Sequence, residues 1–539
     1  MQDQKIDYYL LIGTIISILI VFFCLKKPFN EIGSKNIQLS NNINKTILFS
    51  PKKYGETILE NDLIRVKISN LGGNISEIFL KKYKTYNDKI LRLVKTKSFT
   101  FGLNLITLSG KKVDSNDWLF TPNLQETPYQ YILTMKTIFP PGGELNYIYS
   151  LPKEKSYEVN FSITSRGLCS FAINNAIFFN CKQKLIGLEK NYSYENNYAQ
   201  MCYSYGKNKK IKSLSEIRPD QNIVKKINWI ANKQQFFTTI FFPKNTFQTT
   251  KIQSKRLTSP FYIKWGSMFS PLELVDNELN WKAKWDFVPL KYNLLKKYGD
   301  NFEDIIPFGW RIFRSINKNF FLKLLQFLEK TKLNYGVIII LMTIIVKLIL
   351  FPITYWQCKF IAIMKMRRSD IEELNEKLKD ADPFQKQQAT IEFYKQIGIN
   401  PMSVFFPAIF QIPIFYALFK FFPNIINLRG KSFLWAYDLT YYDSVFHLPL
   451  TIPIYGNHVS LFTLFYIFAF ILYTKFSHIN NYGNNNRLLK YFMPIIMLLF
   501  INNYASGLSL YYFISNILNL IILFLIKKKK ITKYILRNN

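Results

Sequence analysis

Residues 336–356 read GVIIILMTIIVKLILFPITYW, an apolar stretch with one charge, Lys347. At about 1.5 Å per helical residue this length matches a hydrocarbon core of about 30 Å. A lysine in the middle of such a span costs roughly 2.5–3.5 kcal/mol on insertion scales, so its presence marks a functional position. The expectation is one continuous spanning helix with Lys347 near its middle and Thr343, four residues earlier, on the same face.

Four further regions have comparable character: residues 8–25, 402–422, 456–474 and the uncharged run 491–526. The last would reach roughly 54 Å as one helix, and Asn502-Asn503-Tyr504-Ala505-Ser506-Gly507 interrupts it with turn formers. Six spans result, one at residues 1–29 and five at about 336–356, 402–422, 456–474, 488–504 and 508–526.

The formal charge of +35 over 539 residues ordinarily suggests nucleic acid or an anionic membrane as partner. The chain is rich in Lys, Asn, Ile, Phe and Tyr, all spelled by A/T-rich codons, so codon bias is a competing source of this charge on solvated faces, and no basic block in the soluble part interleaves with aromatics as a nucleic-acid groove requires. Placement says more than the total. Residues 357–401 hold eight Lys/Arg, residues 475–490 three and the tail after Ile526 six, whereas 424–457 holds only Arg429 and Lys431. The positive-inside rule makes the rich segments cytoplasmic, both termini included, and puts residues 30–305 outside, with Lys26 and Lys27 as a local exception.

The span within residues 1–29 reads as an uncleaved signal anchor, since its charge-free stretch exceeds a signal h-region and no small-x-small site follows. Phe23 before Cys24 argues against lipidation. Residues 30–54 are a polar linker. Residues 55–305 form an external domain whose short β-branched and aromatic runs (63–68, 130–134, 147–151, 157–163, 235–242) alternate with turn clusters such as Pro140-Pro141-Gly142-Gly143, which predicts a large antiparallel β-sandwich. His447, His458 and His478 all lie outside it, so it has neither a Ser/His/Asp triad nor a histidine metal site. Its carboxylates show no paired arrangement. A docking or spacing role is expected rather than catalysis, with no cofactor. Cys169, Cys181 and Cys202 permit one disulfide, its pairing open.

Residues 306–332 predict an amphipathic helix in the interface plane: Phe313, Ile316, Phe320, Leu324, Phe327 and Leu328 share a face away from Arg311, Arg314, Lys318 and Lys323. Packing against the β-domain is the alternative. Residues 357–400 predict a cytoplasmic helical hairpin, with Ile371, Leu374 and Leu378 striping one helix and Asp382-Pro383 starting a second that ends near Gly398. Phe384, Ile391 and Tyr394 would face the first stripe.

Ordered motifs now accumulate: Thr343-Ile-Ile-Val-Lys347, Phe351-Pro352-Ile-Thr354, Met364-Lys-Met366, Asn400-Pro401-Met402, Phe406-Pro407, Gln411-Ile-Pro413-Ile-Phe415, Ser506-Gly507-Leu508, Tyr511-Tyr512 and Ser515-Asn516. Over about residues 308–526 the chain resembles the YidC/Oxa/Alb3 family of membrane-protein insertases. Asn70-Leu71-Gly72-Gly73 and Trp229-Ile-Ala-Asn-Lys-Gln-Gln-Phe236 resemble the family's bacterial external domain, a β-sandwich of sugar-enzyme-like shape without known enzymatic role.

The resemblance implies five core helices around a hydrophilic groove, open to cytoplasm and lipid and closed outside, in a bacterial inner membrane. Thr343, Lys347, Gln411, Tyr512, Asn516 and Asn519 would line it; Met364, Met366, Arg367 and Arg368 would make the hairpin's contacts. Nascent membrane proteins are the implied partners, with a Sec-type translocon, signal recognition machinery, the ribosome and the bilayer as further candidates. The family usually has arginine where Lys347 stands, and Ser403-Val404-Phe405 replaces residues that are commonly small. Lysine keeps the charge without the planar five-donor fork.

Spacing agrees with a groove. Tyr512, Asn516 and Asn519 fall four and three apart on one face, and Pro407 and Pro413 flank Gln411 where they can kink the helix. No GxxxxGK[ST] motif occurs, and the basic tail 527–539 suits ribosomal RNA or anionic lipid. Two rivals stay open. A coupled transporter needs intramembrane carboxylates and these spans contain none, which leaves an anion channel; a membrane-anchored carbohydrate-binding protein is the other.

Overall fold

The computed structural model describes residues 55–245, 247–259, 261–299, 301–357, 367–378, 382–396, 406–477 and 487–538. The expected anchor, the linker, Met364 and Met366 lie outside these residues.

Strands dominate up to Pro289. A nine-stranded sheet runs in the order Lys210–Ser213, Gln200–Tyr205, Ile227–Lys233, Phe237–Pro243, Asn280–Pro289, Glu158–Arg166, Gly143–Pro152, Gln130–Phe139, Thr121–Glu126. A six-stranded sheet lies against it: Asp220–Lys225, Thr249–Arg256, Tyr262–Pro271, Ala172–Ile186, Phe99–Thr107, Lys112–Asp114. The pairings in both are antiparallel.

Strict alternation of buried and half-buried residues along Gly143–Pro152 shows why the sandwich forms: every second side chain enters the space between the sheets. There Phe101 meets Phe161 at 5.2 Å and Trp285 at 5.5 Å, and Phe179 meets Phe241 at 5.6 Å and Trp281 at 4.9 Å. A four-stranded sheet (Glu56–Glu60, Ile64–Ser69, Ile75–Lys84, Ile90–Val94) is attached through the Gly72-Gly73 turn, where the Tyr149 hydroxyl donates to the Gly73 carbonyl at 2.5 Å. At Gly73, φ is +62° and a Cβ would meet Phe120 and Tyr147 at 3.1–3.2 Å, so glycine is required. Cys169, Cys181 and Cys202 are free thiols.

The amphipathic segment is helical but not uniform. Arg311–Ile316 and Leu322–Glu329 flank a π turn at Asn317–Phe321. Asn317, fully buried, donates to the Phe308 and Ala417 carbonyls at 2.9 and 2.8 Å, so a side chain inserted at the seam accompanies the irregularity. The segment packs on a core helix and also on the end of the β-domain, through Lys318 to Asp304 at 2.5 Å and Gln326 to Asn293 at 3.2 Å.

The core differs from the sequence expectation in three places. The first core helix, Tyr335–Ile349, ends at Leu350, and a second piece over Phe351–Gln357 leaves it at 64°. Pro352 is the physical reason: it cannot donate to the Leu348 carbonyl and disfavours the helical conformation of the residue before it, yet fits the first turn of a new helix. The second core helix is Phe406–Phe421. The third, Leu461–Ser477, starts later than residue 456, because Gly456–Val459 is a strand paired with Phe446–Ile452. The fourth is Arg487–Ile501, and the fifth, Ser506–Asn538, continues through the tail instead of stopping at 526.

Among the described residues, Ser506–Leu525 alone is a single helix long and apolar enough to cross a membrane, and the bent pair qualifies if taken as one span. The hairpin helices are Arg368–Lys377 and Pro383–Gln396. Phe384 is 70% exposed and does not cover the first of them.

Candidate substrate groove

Lys347 lies in the last turn of the first core helix, immediately before the bend. That position lowers the cost of a buried cation, since the unpaired carbonyls at a helix C-terminus carry partial negative charge. The side chain is 6% exposed, and its Nζ donates to Asn519 Oδ1 on the fifth core helix at 3.0 Å. No carboxylate lies within ion-pair distance among the described residues. A neutral amide satisfies one of three ammonium donors and leaves the charge uncompensated.

Asn516 and Tyr512 continue the same face of the fifth helix, both buried. The Tyr512 ring touches Phe415 of the second core helix at 5.3 Å and Tyr466 of the third at 6.0 Å, and its hydroxyl has no hydrogen-bond partner among the described residues. Thr343, fully buried, gives its hydroxyl to its own helix at Ile339 O, 2.7 Å away. Gln411 is half-buried on the second core helix and bonds to none of the other five. The structure therefore joins Lys347 to Asn519, aligns Asn516 and Tyr512 with them, and leaves Thr343 and Gln411 apart. In the hairpin, Arg367 pairs with Asp370 at 3.0 Å, while the side chain of Arg368 is outside the described set.

The opposite end of the core is tied shut by groups that composition did not single out. Asp443, 3% exposed, accepts from Ser460 Oγ, Trp435 Nε1 and the Leu461 and Phe462 amides at 2.5–3.0 Å, capping the third core helix. Asn502, fully buried, accepts from the Ser460 amide and donates to the Tyr455 and His458 carbonyls. The Ser506 and Gly507 amides bond to Tyr441 and Leu439.

A second seam joins the β-domain to this cap. Arg429 donates to Glu189 at 2.8 Å and to the Lys84 carbonyl at 2.9 Å, over the Phe237 ring at 5.2 Å. Gln235 donates to the Pro423 carbonyl at 2.8 Å. Burial raises Glu189 above the usual carboxylate range despite Arg429, and it pushes the fully buried Glu195 up to about 8, with Glu189 adding to the effect. Within the Trp229–Phe236 motif, Gln235 crosses the seam, while Lys233 and Gln234 brace it inside the β-domain by donating to Tyr198 O at 2.7 Å and to Ile186 O. The sequence offered one signal for this seam: Arg429 is one of two cations in a sparse loop.

A buried cation on a broken apolar helix, a tied cap at the other end of that core and a large β-sandwich alongside define a chain of two parts, an apolar helical core and an attached β-domain. The family model described as YidC periplasmic domain matches residues 57–322, and that described as 60Kd inner membrane protein matches 327–533. The chain belongs to the YidC family of membrane protein insertases.

The membrane protein insertase YidC of Parabacteroides distasonis is 36% identical over 86% of this chain and 76% of its own length. That of Azobacteroides pseudotrichonymphae is 31% identical over 94% and 90%. A solved YidC from Thermotoga maritima aligns at 11% identity and a TM-score of 0.28, covering 87% of this chain and 99% of that one. The relatives favour insertase function over the anion-channel and carbohydrate-binding readings, and place the chain in a bacterial inner membrane.

Proposed function

We propose that the chain inserts nascent membrane proteins by drawing their short polar tails into a positively charged groove around Lys347 and releasing their apolar spans sideways into lipid. In this reading residues 1–29 anchor the N-terminus, five core spans follow the periplasmic β-domain, and both termini are cytoplasmic. A groove entering the bilayer from the cytoplasm shortens the roughly 30 Å of hydrocarbon that a polar tail must cross. Acidic residues of the tail are attracted by the uncompensated ammonium. Burial of the substrate's apolar surface at about 25 cal/mol per Å² then drives its exit, with no catalytic residue and no nucleotide. Met364, Met366, Arg367 and Arg368 would meet the emerging chain, the basic tail would touch ribosomal RNA or anionic lipid, and a Sec-type translocon and signal recognition machinery are further partners.

The observation that supports this reading most is Lys347 itself, buried yet paired, among the described residues, only with a neutral amide. Reconstitution with a protease-protection assay tests it. Lys347→Arg should retain insertion, and Lys347→Ala should slow insertion most for substrates with acidic external tails. Equal insertion of acidic-tailed and neutral-tailed substrates by the Ala variant would reject the attraction; anion flux without insertion would reject the whole reading.

A further inference from the structure

The loop between the second and third core helices carries apolar side chains that the insertase groove does not use. From residue 444 to residue 474 no Lys, Arg, Asp or Glu occurs. Within this run the hairpin of Phe446–Ile452 and Gly456–Val459 leaves Phe446 61%, Leu450 75% and Ile454 56% exposed, with Val445 and Ile452 exposed beside them. Single exposed apolar residues are ordinary, but five within ten positions form a patch that marks an interaction surface. The hairpin's polar groups turn the other way. His458, 1% exposed, bonds through Nε2 to the Asn502 carbonyl at 2.8 Å, and Asn503 Nδ2 donates to the Ile454 carbonyl at 2.6 Å. With the bonds that join Asn502 to Tyr455 and Ser460, the inner strand lies along residues 502–503 and the outer strand, Phe446–Ile452, is the exposed one. Phe446 pairs with Val459 and His447 with His458, but Ile452 pairs with Gly456, so residues 448–451 bulge from the outer strand and carry Leu450 with them.

The fifth core helix sets the level of this patch. Ser506–Leu525 has 20 residues, about 30 Å of helix at about 1.5 Å each, and the lysines at 527–530 end its apolar run. Hydrocarbon of about 30 Å that stops at those lysines also stops at about Ser506, directly after the Asn502-Asn503 pair that holds the hairpin. We propose that the hairpin lies flat at this boundary, with Phe446, Leu450 and Ile454 in the acyl chains of the bilayer and its backbone in the headgroup layer. The outer edge of Phe446–Ile452 has no strand partner among the described residues, and unpaired backbone groups do not enter hydrocarbon, so only side chains dip below the boundary. The placement rests on the proposed reading of Ser506–Leu525 as a span, but not on which side of the membrane the hairpin faces.

A diazirine analogue of leucine placed singly at Leu450 or Ile454 tests this in the full chain, reconstituted into vesicles of phosphatidylethanolamine and phosphatidylglycerol. Mass spectrometry after illumination identifies what each probe has captured. The same probe at Ile521, 48% exposed on the fifth core helix, reports whether that helix spans; at Tyr129, 80% exposed at an edge of the nine-stranded sheet, it reports chance contact with lipid. All four side chains are exposed, and an unchanged thermal midpoint confirms folding. Phospholipid adducts at Leu450 and Ile454 should match those at Ile521 and exceed those at Tyr129 by about tenfold. Adducts at Ile521 without adducts at Leu450 and Ile454 would overturn the hairpin's place and leave the span standing, whereas adducts at none of the three would overturn both. Equal adducts at Leu450 and Tyr129 would also overturn it. Cross-links from Leu450 to a second copy, or to another segment of this chain, would overturn lipid as the occupant.

Discussion

Arg429→Met removes a guanidinium that joins the β-domain to the cap of the core. The side chains of Arg429 and Glu189 are 10% and 13% exposed, so solvent screens the pair little. Breaking such a pair from one side costs about 3–5 kcal/mol, because the remaining charge is left buried. Loss of the bond to the Lys84 carbonyl adds about 1 kcal/mol. Methionine recovers part of the apolar contact with Phe236 and Phe237, which leaves a net loss of about 3 kcal/mol in the seam at pH 8.

The loss depends on pH, with a definite sign. Glu189 titrates above its ordinary 4.5 in the folded chain, burial being the first cause and Arg429 opposing it. Without Arg429 its folded value rises further. An acid raised on folding destabilises only where the unfolded form is ionised, so the added penalty is absent below 4.5 and grows as pH rises. Hydrogen exchange on peptides covering residues 184–198 and 425–442 measures it locally. Corrected for intrinsic rates, exchange in the variant should be about a hundredfold faster at pH 8 and much closer to the parent at pH 5. Unchanged protection at pH 8, or equal loss at both pH values, would refute the reasoning.

Glu195→Gln should flatten stability between pH 4.5 and about 8, the window over which the unfolded carboxyl ionises while the buried one holds its proton; thermal unfolding across that range checks it. Asp443→Ala removes four hydrogen bonds from a buried cap, and should cost about 3 kcal/mol and speed exchange at the start of the third core helix. Tyr512→Phe deletes a buried hydroxyl with no partner among the described residues, so the thermal midpoint should hold or rise while insertion of polar tails slows; a lowered midpoint would show the hydroxyl to be structural.

The sheets were legible because two-residue periodicity survives in strands such as Gly143–Pro152 and 130–134, and the hairpin helices because Asp382-Pro383 marks a start. What composition concealed was geometry set by single backbone groups. Apolar content made residues 336–356 one span, whereas the missing Pro352 amide bends it beside Lys347. Likewise residues 456–459 are as uncharged as a span, yet they pair as a strand, and Asp443 caps the helix only from Leu461. At the seam, Arg429 and Glu189 lie 240 positions apart, and no periodicity reports a contact at that separation. Asn519 was visible as a polar residue on the right helix face. Its selection by Lys347 was not, since that depends on how the first and fifth core helices pack.

The bend and the lysine explain each other. An ammonium in the middle of an unbroken helix would face carbonyls already engaged within that helix, and its charge would rest on hydrocarbon and one amide alone. Pro352 supplies no amide to continue the helix past Leu350, so Lys347 stands in a last turn whose carbonyls carry partial negative charge, and that helix end lowers the cost of the cation. Neither Asn519 nor the helix end neutralises the charge, since both are dipoles. A carboxylate partner would stabilise the resting chain more strongly, but it would also compete with any acidic substrate for the same ammonium. The neutral pairing holds Lys347 in place while leaving its charge available, a distinction that favours substrate attraction over helix packing as the reason for a lysine here.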